Sequence, residues 1–153
     1  MASIRLTVSR KLEREIKRQS KAMFPKESFA LLLGTCAGDA VQFDELYVPD
    51  DVAKYSRKDS VDLLPHWFEE AHEAAKESEL DIVGWVHSHP WELGESGAEK
   101  ADHSLSERDL DCRIPLPVSG VCVVRECKIK GERLLRASLR WWGMQVPVEV
   151  TRN

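Results

Sequence analysis

Two histidines, His87 and His89, stand two positions apart and could bind a metal ion together. They lie near the end of the segment VGWVHSHP at residues 83–90, whose apolar start predicts a β-strand. Side chains two apart on a strand point to the same face, so both imidazoles would project together. Such a pair suits Zn²⁺, which favours nitrogen donors and tetrahedral geometry. A His-x-His pair alone also fits ordinary surface or core histidines, so this interpretation needs further ligands.

Three further residues could contribute to the same chemistry. Ser106 and Asp109 have the spacing S-x-x-D at a predicted helix start, which brings their side chains one turn apart. The same spacing also fits a plain helix start, with Ser106 as N-cap and an acidic residue at N3. Upstream, Glu27 lies at the mouth of the apolar run FALLLG at residues 29–34. A carboxylate held there could act as a general base or could be a solvated strand end.

In this order, the residues resemble the JAMM (MPN+) metalloprotease motif, E…H-S/T-H-P…S-x-x-D, of deubiquitinating enzymes and their prokaryotic relatives. The matching positions are Glu27, His87, Ser88, His89, Pro90, Ser106 and Asp109. The segment ESFALLLG at residues 27–34 is similar to the family's E-x-x-G-L-L-L-G strand, with Ala30 in place of the usual glycine. Residues 90–105 separate the histidines from the serine, a longer stretch than the family commonly has.

The resemblance implies a role for each of the main residues. His87, His89 and Asp109 would bind one zinc ion and leave its fourth position for water, as a catalytic site requires. Glu27 would act as the general base. Ser106 would donate a hydrogen bond to the developing oxyanion.

The resemblance also assigns supporting roles and leaves the third ligand open to alternatives. Ser88 would fix the two histidines, and Pro90 would stiffen the exit from the strand. Because the stretch before the S-x-x-D segment is long, Asp102 with His103 is a competing source of the third ligand. The lower-ranked alternatives are Glu107, Asp111 and Cys112.

The reaction implied by the resemblance is the hydrolysis of an isopeptide or peptide bond after the Gly-Gly-type C-terminal tail of a ubiquitin-like protein. A zinc-activated water would attack, in deconjugation or in precursor processing. The partner would be a ubiquitin-like or sulfur-carrier protein with an extended tail, with E1- and E2-like pathway proteins as further candidates. No substrate-binding residue is indicated, although the loops at residues 49–60 and 91–105 could flank the tail.

Three alternatives stand beside this function. A peptidase that processes a sulfur-carrier protein would use the same site on a different substrate. A non-catalytic MPN scaffold or binding module would use the fold without the chemistry, as related domains with an incomplete ligand set do. A nucleic-acid-associated protein using the basic segment 10–21 would rest on charge alone.

The composition fits one globular domain over residues 1–153. Hydrophobic residues make up 42% and charged residues 31% of the chain, which argues against disorder and against a membrane protein. The N-terminus lacks signal-peptide features, so we expect a cytoplasmic protein with its four cysteines reduced and buried. Residues 27–111 carry a net charge of −15 between ends of +6 and +5. Neither nucleic acid nor a membrane is an expected partner.

The resemblance implies a cytidine-deaminase-like JAMM/MPN fold of the α/β (α+β) class, with a curved mixed, largely antiparallel β-sheet flanked by helices. Periodicity predicts strands at residues 4–8, 29–34, 41–48, 82–86, 118–126, 133–142 and 145–151. Helices are predicted at residues 10–22 after the N-cap Ser9, at residues 63–78, and from Ser106 to Pro115. Residues 49–60 and 91–105 are predicted to be exposed polar loops.

Overall fold

The computed structural model describes residues 3–94 and 116–153, which contain seven strands and two helices. The strands are β1 (Ile4–Val8), β2 (Phe29–Ala37), β3 (Ala40–Tyr47), β4 (Asp81–Trp91), β5 (Val118–Ile129), β6 (Glu132–Gly143) and β7 (Val148–Arg152). The helices are α1 (Arg10–Met23) and α2 (Pro65–Glu77), and a 3-10 turn covers Val52–Tyr55. Within these ranges no helix has the length and apolar character needed to cross a bilayer.

The strands form one mixed sheet in the order β6-β5-β4-β2-β3-β1-β7. The β1 strand runs parallel to β3 and β7, and β4 runs parallel to β5. The other neighbouring pairs, β2 with β3, β2 with β4, and β5 with β6, are antiparallel. This curved, nearly closed sheet with two helices confirms the predicted α+β class. The strand that carries the histidines, β4, is hydrogen-bonded on both sides.

The α1 helix begins where the sequence predicts. The Leu12 amide donates a 3.0 Å hydrogen bond to the Ser9 hydroxyl, which satisfies one of the free N–H groups of the first turn. On this helix Ile16 is fully buried, whereas Arg14 and Arg18 are exposed. The helix is therefore amphipathic, and its apolar face is buried against the sheet.

Two apolar clusters lie on opposite faces of the sheet because side chains alternate along each strand. In β2, Leu32 belongs to the cluster that includes Ile16 of α1, whereas Leu31 belongs to the cluster that includes Trp67 of α2. Phe29, also in β2, stacks on Trp67 with ring centroids 5.8 Å apart. The α2 helix is thus anchored at the end of β2 that pairs with the histidine strand.

The loop at residues 49–60 was predicted to be an exposed polar loop, and this holds for only part of it. It contains the 3-10 turn, and Val52, Ser56 and Ser60 are buried. Val52 packs in the apolar cluster that includes Trp67 of α2, and the Ser56 hydroxyl donates to the Val52 carbonyl at 2.7 Å. Val52, together with the partly buried Tyr55, therefore anchors the loop on the core.

The structure also differs from two smaller predictions, the end of β4 and the burial of the cysteines. The β4 strand continues past the predicted end to Trp91, because β5 pairs with its polar half as well as with its apolar half. Cys122 is buried as expected, but Cys127 is half-buried and Cys36 is exposed. Three features lie outside the described residues: Cys112, the predicted helix at residues 106–115 and the predicted loop beyond Gly94.

Candidate metal centre

The β4 strand holds His87 firmly inside the sheet. In register, His87 lies opposite Phe29 of β2 on one side and Val121 of β5 on the other. His87 is only 4% exposed, and its ring centroid lies 4.9 Å from that of Trp85. Main-chain pairing on both sides and an aromatic neighbour restrict how far this imidazole can move.

The two imidazoles converge through their Nε2 atoms, which are 3.0 Å apart. The ring centroids are 4.8 Å apart and the ring planes meet at 74°. Two nitrogens bound to one tetrahedral zinc ion, each at about 2.0–2.1 Å, would be separated by about 3.3 Å. The spacing therefore fits joint binding of a zinc ion after a small outward movement, and imidazole nitrogen is a donor that zinc prefers.

Glu27 lies at the end of β2 that adjoins the histidine pair, and it is half-buried. The Ser88 amide donates to the Ser28 carbonyl at 3.2 Å, which extends the pairing of β2 with β4 beyond the last pair of the regular ladder. The same register continued by one residue sets Glu27 opposite His89. The candidate base and the candidate ligands thus share one end of two neighbouring strands.

Ser88 lies on the opposite face from the histidines and is fully buried. Its hydroxyl oxygen accepts a 2.7 Å hydrogen bond from the Ser28 amide. The Ser28 hydroxyl in turn lies 3.0 Å from the hydroxyl of Ser20 on α1. Pro90 remains within β4, opposite Val124 of β5. Ser88 therefore links the two strands, in addition to its place in the motif.

The remaining predicted site residues, Ser106 and Asp109, lie outside the described residues. The alternative ligand sources lie there too, namely Asp102, His103, Glu107, Asp111 and Cys112. Within residues 3–94 and 116–153, no group of three or more His, Cys, Asp or Glu side chains is placed to hold a metal ion. The described part of the site supplies two nitrogen donors and the nearby carboxylate.

The loop at residues 49–60 contacts the site from one side. The Glu27 amide donates a 2.7 Å hydrogen bond to the carbonyl of Arg57. The Lys58 ammonium lies 3.7 Å from the carboxylate of Glu92, directly after β4. The loop therefore contacts the chain next to both strands that carry candidate site residues.

Asp51 anchors the same loop to α2. Its carboxylate accepts a 2.7 Å hydrogen bond from the Trp67 indole N–H and lies 3.4 Å from Nε2 of His66. Desolvation alone would raise the pKa of Asp51, but the hydrogen bonds from Trp67 and the backbone, together with His66, lower it. An ionised carboxylate is thus the form that this loop favours.

Three structural contributors escaped the sequence reasoning: Ser28, Arg57 and Asp51. Ser28 carried a weak signal, because a small polar residue at the start of a buried strand requires a hydrogen-bonding partner. Arg57 acts through its main-chain carbonyl. Every residue type has this group, so the sequence gives no indication of the contact. Asp51 could have been noted only by knowing that Trp67 would be buried with its N–H directed at the loop.

The fold and the histidine pair define a JAB/MPN-type domain. Residues 9–93 match the Prok-JAB family, the prokaryotic homologs of the JAB domain, and the chain belongs to this family. No sequence among curated proteins matches the chain.

Two solved structures share the fold over nearly the whole chain. Protein DSY2949 from Desulfitobacterium hafniense has a TM-score of 0.59 at 14% identity, covering 97% of this chain and 94% of its own. AF2198, a JAB1/MPN domain protein from Archaeoglobus fulgidus, has a TM-score of 0.52 at 19% identity, covering 99% and 100%. At these identities the similarity concerns the fold.

Proposed function

We propose that the chain is a zinc-dependent peptidase or isopeptidase that cleaves after the Gly-Gly-type C-terminal tail of a ubiquitin-like protein. The observation that carries the proposal is the convergence of the His87 and His89 Nε2 atoms, 3.0 Å apart. They lie on β4, next to the start of β2, which Glu27 precedes. Membership of the Prok-JAB family supports it.

The residues that would hold the metal are His87 and His89, through Nε2, with Asp109 as the proposed third ligand. When bound, zinc supplies a water molecule whose pKa is lowered to about 7, so that hydroxide is available at neutral pH. The rigid pairing of β4 with both of its neighbours would keep the two imidazoles at the separation that such an ion requires.

The proton transfers are assigned to Glu27. One carboxylate oxygen would accept the proton of the attacking water and then deliver it to the nitrogen of the leaving amine as the carbon–nitrogen bond breaks. The Ser106 hydroxyl would donate to the oxygen that becomes negatively charged, a contribution typically worth about 3 kcal/mol. Both roles require side chains held at fixed distances from the scissile carbonyl.

The substrate tail is proposed to bind in an extended conformation, because main-chain hydrogen bonds to a strand give affinity without demanding particular side chains. The loop at residues 49–60 is the described segment best placed to flank it. The exposed face of α2 carries Glu69, Glu70, Glu73 and Glu77. These carboxylates would attract a basic surface on the body of the substrate.

The direct test is cleavage of ubiquitin-like proteins extended at the C-terminus, followed by mass spectrometry. The zinc-loaded protein should release the extension after the Gly-Gly pair, and Glu27→Ala should slow release by on the order of 100-fold or more. Glu15→Ala, on α1, is the matched control and should cleave like the wild type. Failure of the zinc-loaded wild type on a panel of ubiquitin-like and sulfur-carrier fusions would overturn the proposal.

A non-catalytic scaffold or binding module is the second candidate. Membership of the Prok-JAB family fits this candidate as well, because the match concerns the domain and not a reaction. Zinc content separates the two functions, because a scaffold has no need to retain one ion per chain. Within the enzyme class, the same panel distinguishes deconjugation from the processing of a sulfur-carrier precursor.

A further inference from the structure

The main chain around Glu27 is held by hydrogen bonds to two different elements. The Glu27 amide donates to the Arg57 carbonyl of the 49–60 loop at 2.7 Å. The next amide, that of Ser28, donates to the hydroxyl oxygen of Ser88 on β4, also at 2.7 Å. The peptide on each side of the candidate base is therefore fixed, once by the loop and once by the histidine strand.

The contact with Ser88 replaces part of the normal sheet pairing. Two directly opposed residues of an antiparallel ladder can exchange two main-chain hydrogen bonds. Here the Ser88 amide donates to the Ser28 carbonyl at 3.2 Å, but the Ser28 amide turns to the side-chain oxygen. Both serines are almost completely buried, at 2% and 0% exposure, so water cannot easily replace that acceptor. The residue between the two histidines thus determines how β2 begins.

We propose that Ser88 is a positioning residue that sets the place of the Glu27 carboxylate relative to the histidine pair, with the Arg57 carbonyl as the second point of attachment. This inference rests on the proposed function, because it concerns the residue assigned there as the base. Ser88 alternates with the two histidines along β4 and is fully buried, so its hydroxyl would not reach a metal held by their imidazoles. Its hydroxyl acts through the Ser28 amide, which belongs to the peptide that follows Glu27.

The kinetic test compares Ser88→Ala with Ser88→Thr. Removing the oxygen should lower kcat by on the order of 100-fold, as a displaced catalytic group does, and leave KM within about twofold. The threonine variant retains the oxygen and should stay close to the wild type. In a Glu27→Ala background, Ser88→Ala should cause no further loss, because the group that it positions is absent. Additive losses in the double variant would overturn the proposal.

A second measurement needs no activity. In the folded protein, amide hydrogen exchange followed by NMR should show loss of protection at Ser28 in Ser88→Ala and retained protection in Ser88→Thr. Zinc affinity, measured by competition with a chelator, should change by less than about threefold, since the ligands are unaltered. Unchanged exchange at Ser28, or a zinc affinity that falls in parallel with kcat, would overturn the proposal.

Ser20→Ala is the matched control, because it removes another buried hydroxyl, one that contacts the Ser28 side chain and not its amide. It should leave kcat within about threefold of the wild type, and a loss equal to that of Ser88→Ala would mean that any buried hydroxyl here matters only for folding. If Ser88→Ala does not fold, Ser88→Cys keeps the volume with a weaker acceptor. An inactive wild type would count against the proposed function, while the exchange experiment would still decide the role of Ser88.

Discussion

The Nε of Arg152 donates a 2.8 Å hydrogen bond to the Glu13 carboxylate, 139 positions away in the chain. The same carboxylate accepts the Trp141 indole N–H at 3.0 Å. Glu13 lies on α1, Trp141 on β6 and Arg152 on β7, so one acid joins the two edge strands of the sheet. A cavity of about 700 Å³ separates these edges, and Trp141 and Arg152 both line it. The acid therefore bridges a gap that strand pairing leaves open.

We expect Glu13→Ala to lower the free energy of unfolding by about 1–3 kcal/mol, the cost of leaving buried polar groups unsatisfied. Trp141 is 6% exposed and would lose its acceptor, whereas the Arg152 side chain is 39% exposed and can turn to water. Urea denaturation measures the change. Glu15→Ala, on the same helix, should change the value by less than about 0.5 kcal/mol, and equal losses in the two variants would contradict the bridging role.

Zinc binding should depend on His87. His87→Ala removes one of the two converging nitrogens. Because loss of a residue that merely supports a ligand already costs about 10–100-fold in metal affinity, loss of a ligand itself should reduce zinc affinity by well over 100-fold. Chelator competition and metal analysis of purified protein measure the effect. His72→Ala is the matched control, because His72 is an exposed histidine of α2. Equal zinc content in both variants would show that the pair on β4 does not bind the metal.

The carboxylate of Asp51 should make the protein less stable in acid. Its pKa is lower in the folded chain than its ordinary value, so the folded state favours the ionised form. That contribution is complete above the ordinary pKa and is lost as the pH falls through the lower, folded value. Thermal unfolding of the wild type and of Asp51→Asn at pH 7 and pH 3 tests this. The advantage of the wild type should shrink at pH 3, and a constant difference would refute it.

The cysteines should react unequally with iodoacetamide. Burial raises the pKa of the Cys122 thiol, although its hydrogen bond with Ser20 and the nearby Lys17 and Lys21 act the other way. Because the thiolate is the reactive form, Cys122 should stay unlabelled in the folded protein while the exposed Cys36 is modified. Peptide mass spectrometry gives the extent at each position. Labelling of Cys122 at the rate of Cys36 would argue against the buried environment.

Much of the fold was predictable because the elements carry clear periodic patterns. The first strand, Ile4–Val8, was predicted with its observed bounds, and the N-cap of α1 was identified from Ser9 alone. Other features depend on distant parts of the chain. Glu13 looks like a solvated residue in a basic helix, and only its neighbours from β6 and β7 make it a buried acceptor. Local sequence patterns cannot predict contacts between residues that are far apart in the chain.

In the candidate site, too, some features follow from the local sequence and others depend on distant residues. The spacing of two residues places His87 and His89 on one face of any strand, so their convergence could be predicted. The attachment of Ser28 to Ser88 could not, because it requires an amide to leave the regular ladder for a hydroxyl 60 positions away. The positions of Ser106 and Asp109 relative to the histidines stay a prediction of the motif.

The Arg57 carbonyl has a practical consequence for mutagenesis. Every residue type offers the same carbonyl oxygen, and the Arg57 side chain pairs elsewhere, with the exposed Asp62 at 2.6 Å. Alanine scanning across the loop would therefore report position 57 as tolerant. Insertions or deletions between residues 50 and 60 would shift the backbone and move the oxygen away from the Glu27 amide. At position 57, therefore, the length and path of the loop matter more than the identity of the side chain, whereas Asp51, Val52 and Ser56 hold the loop through their side chains.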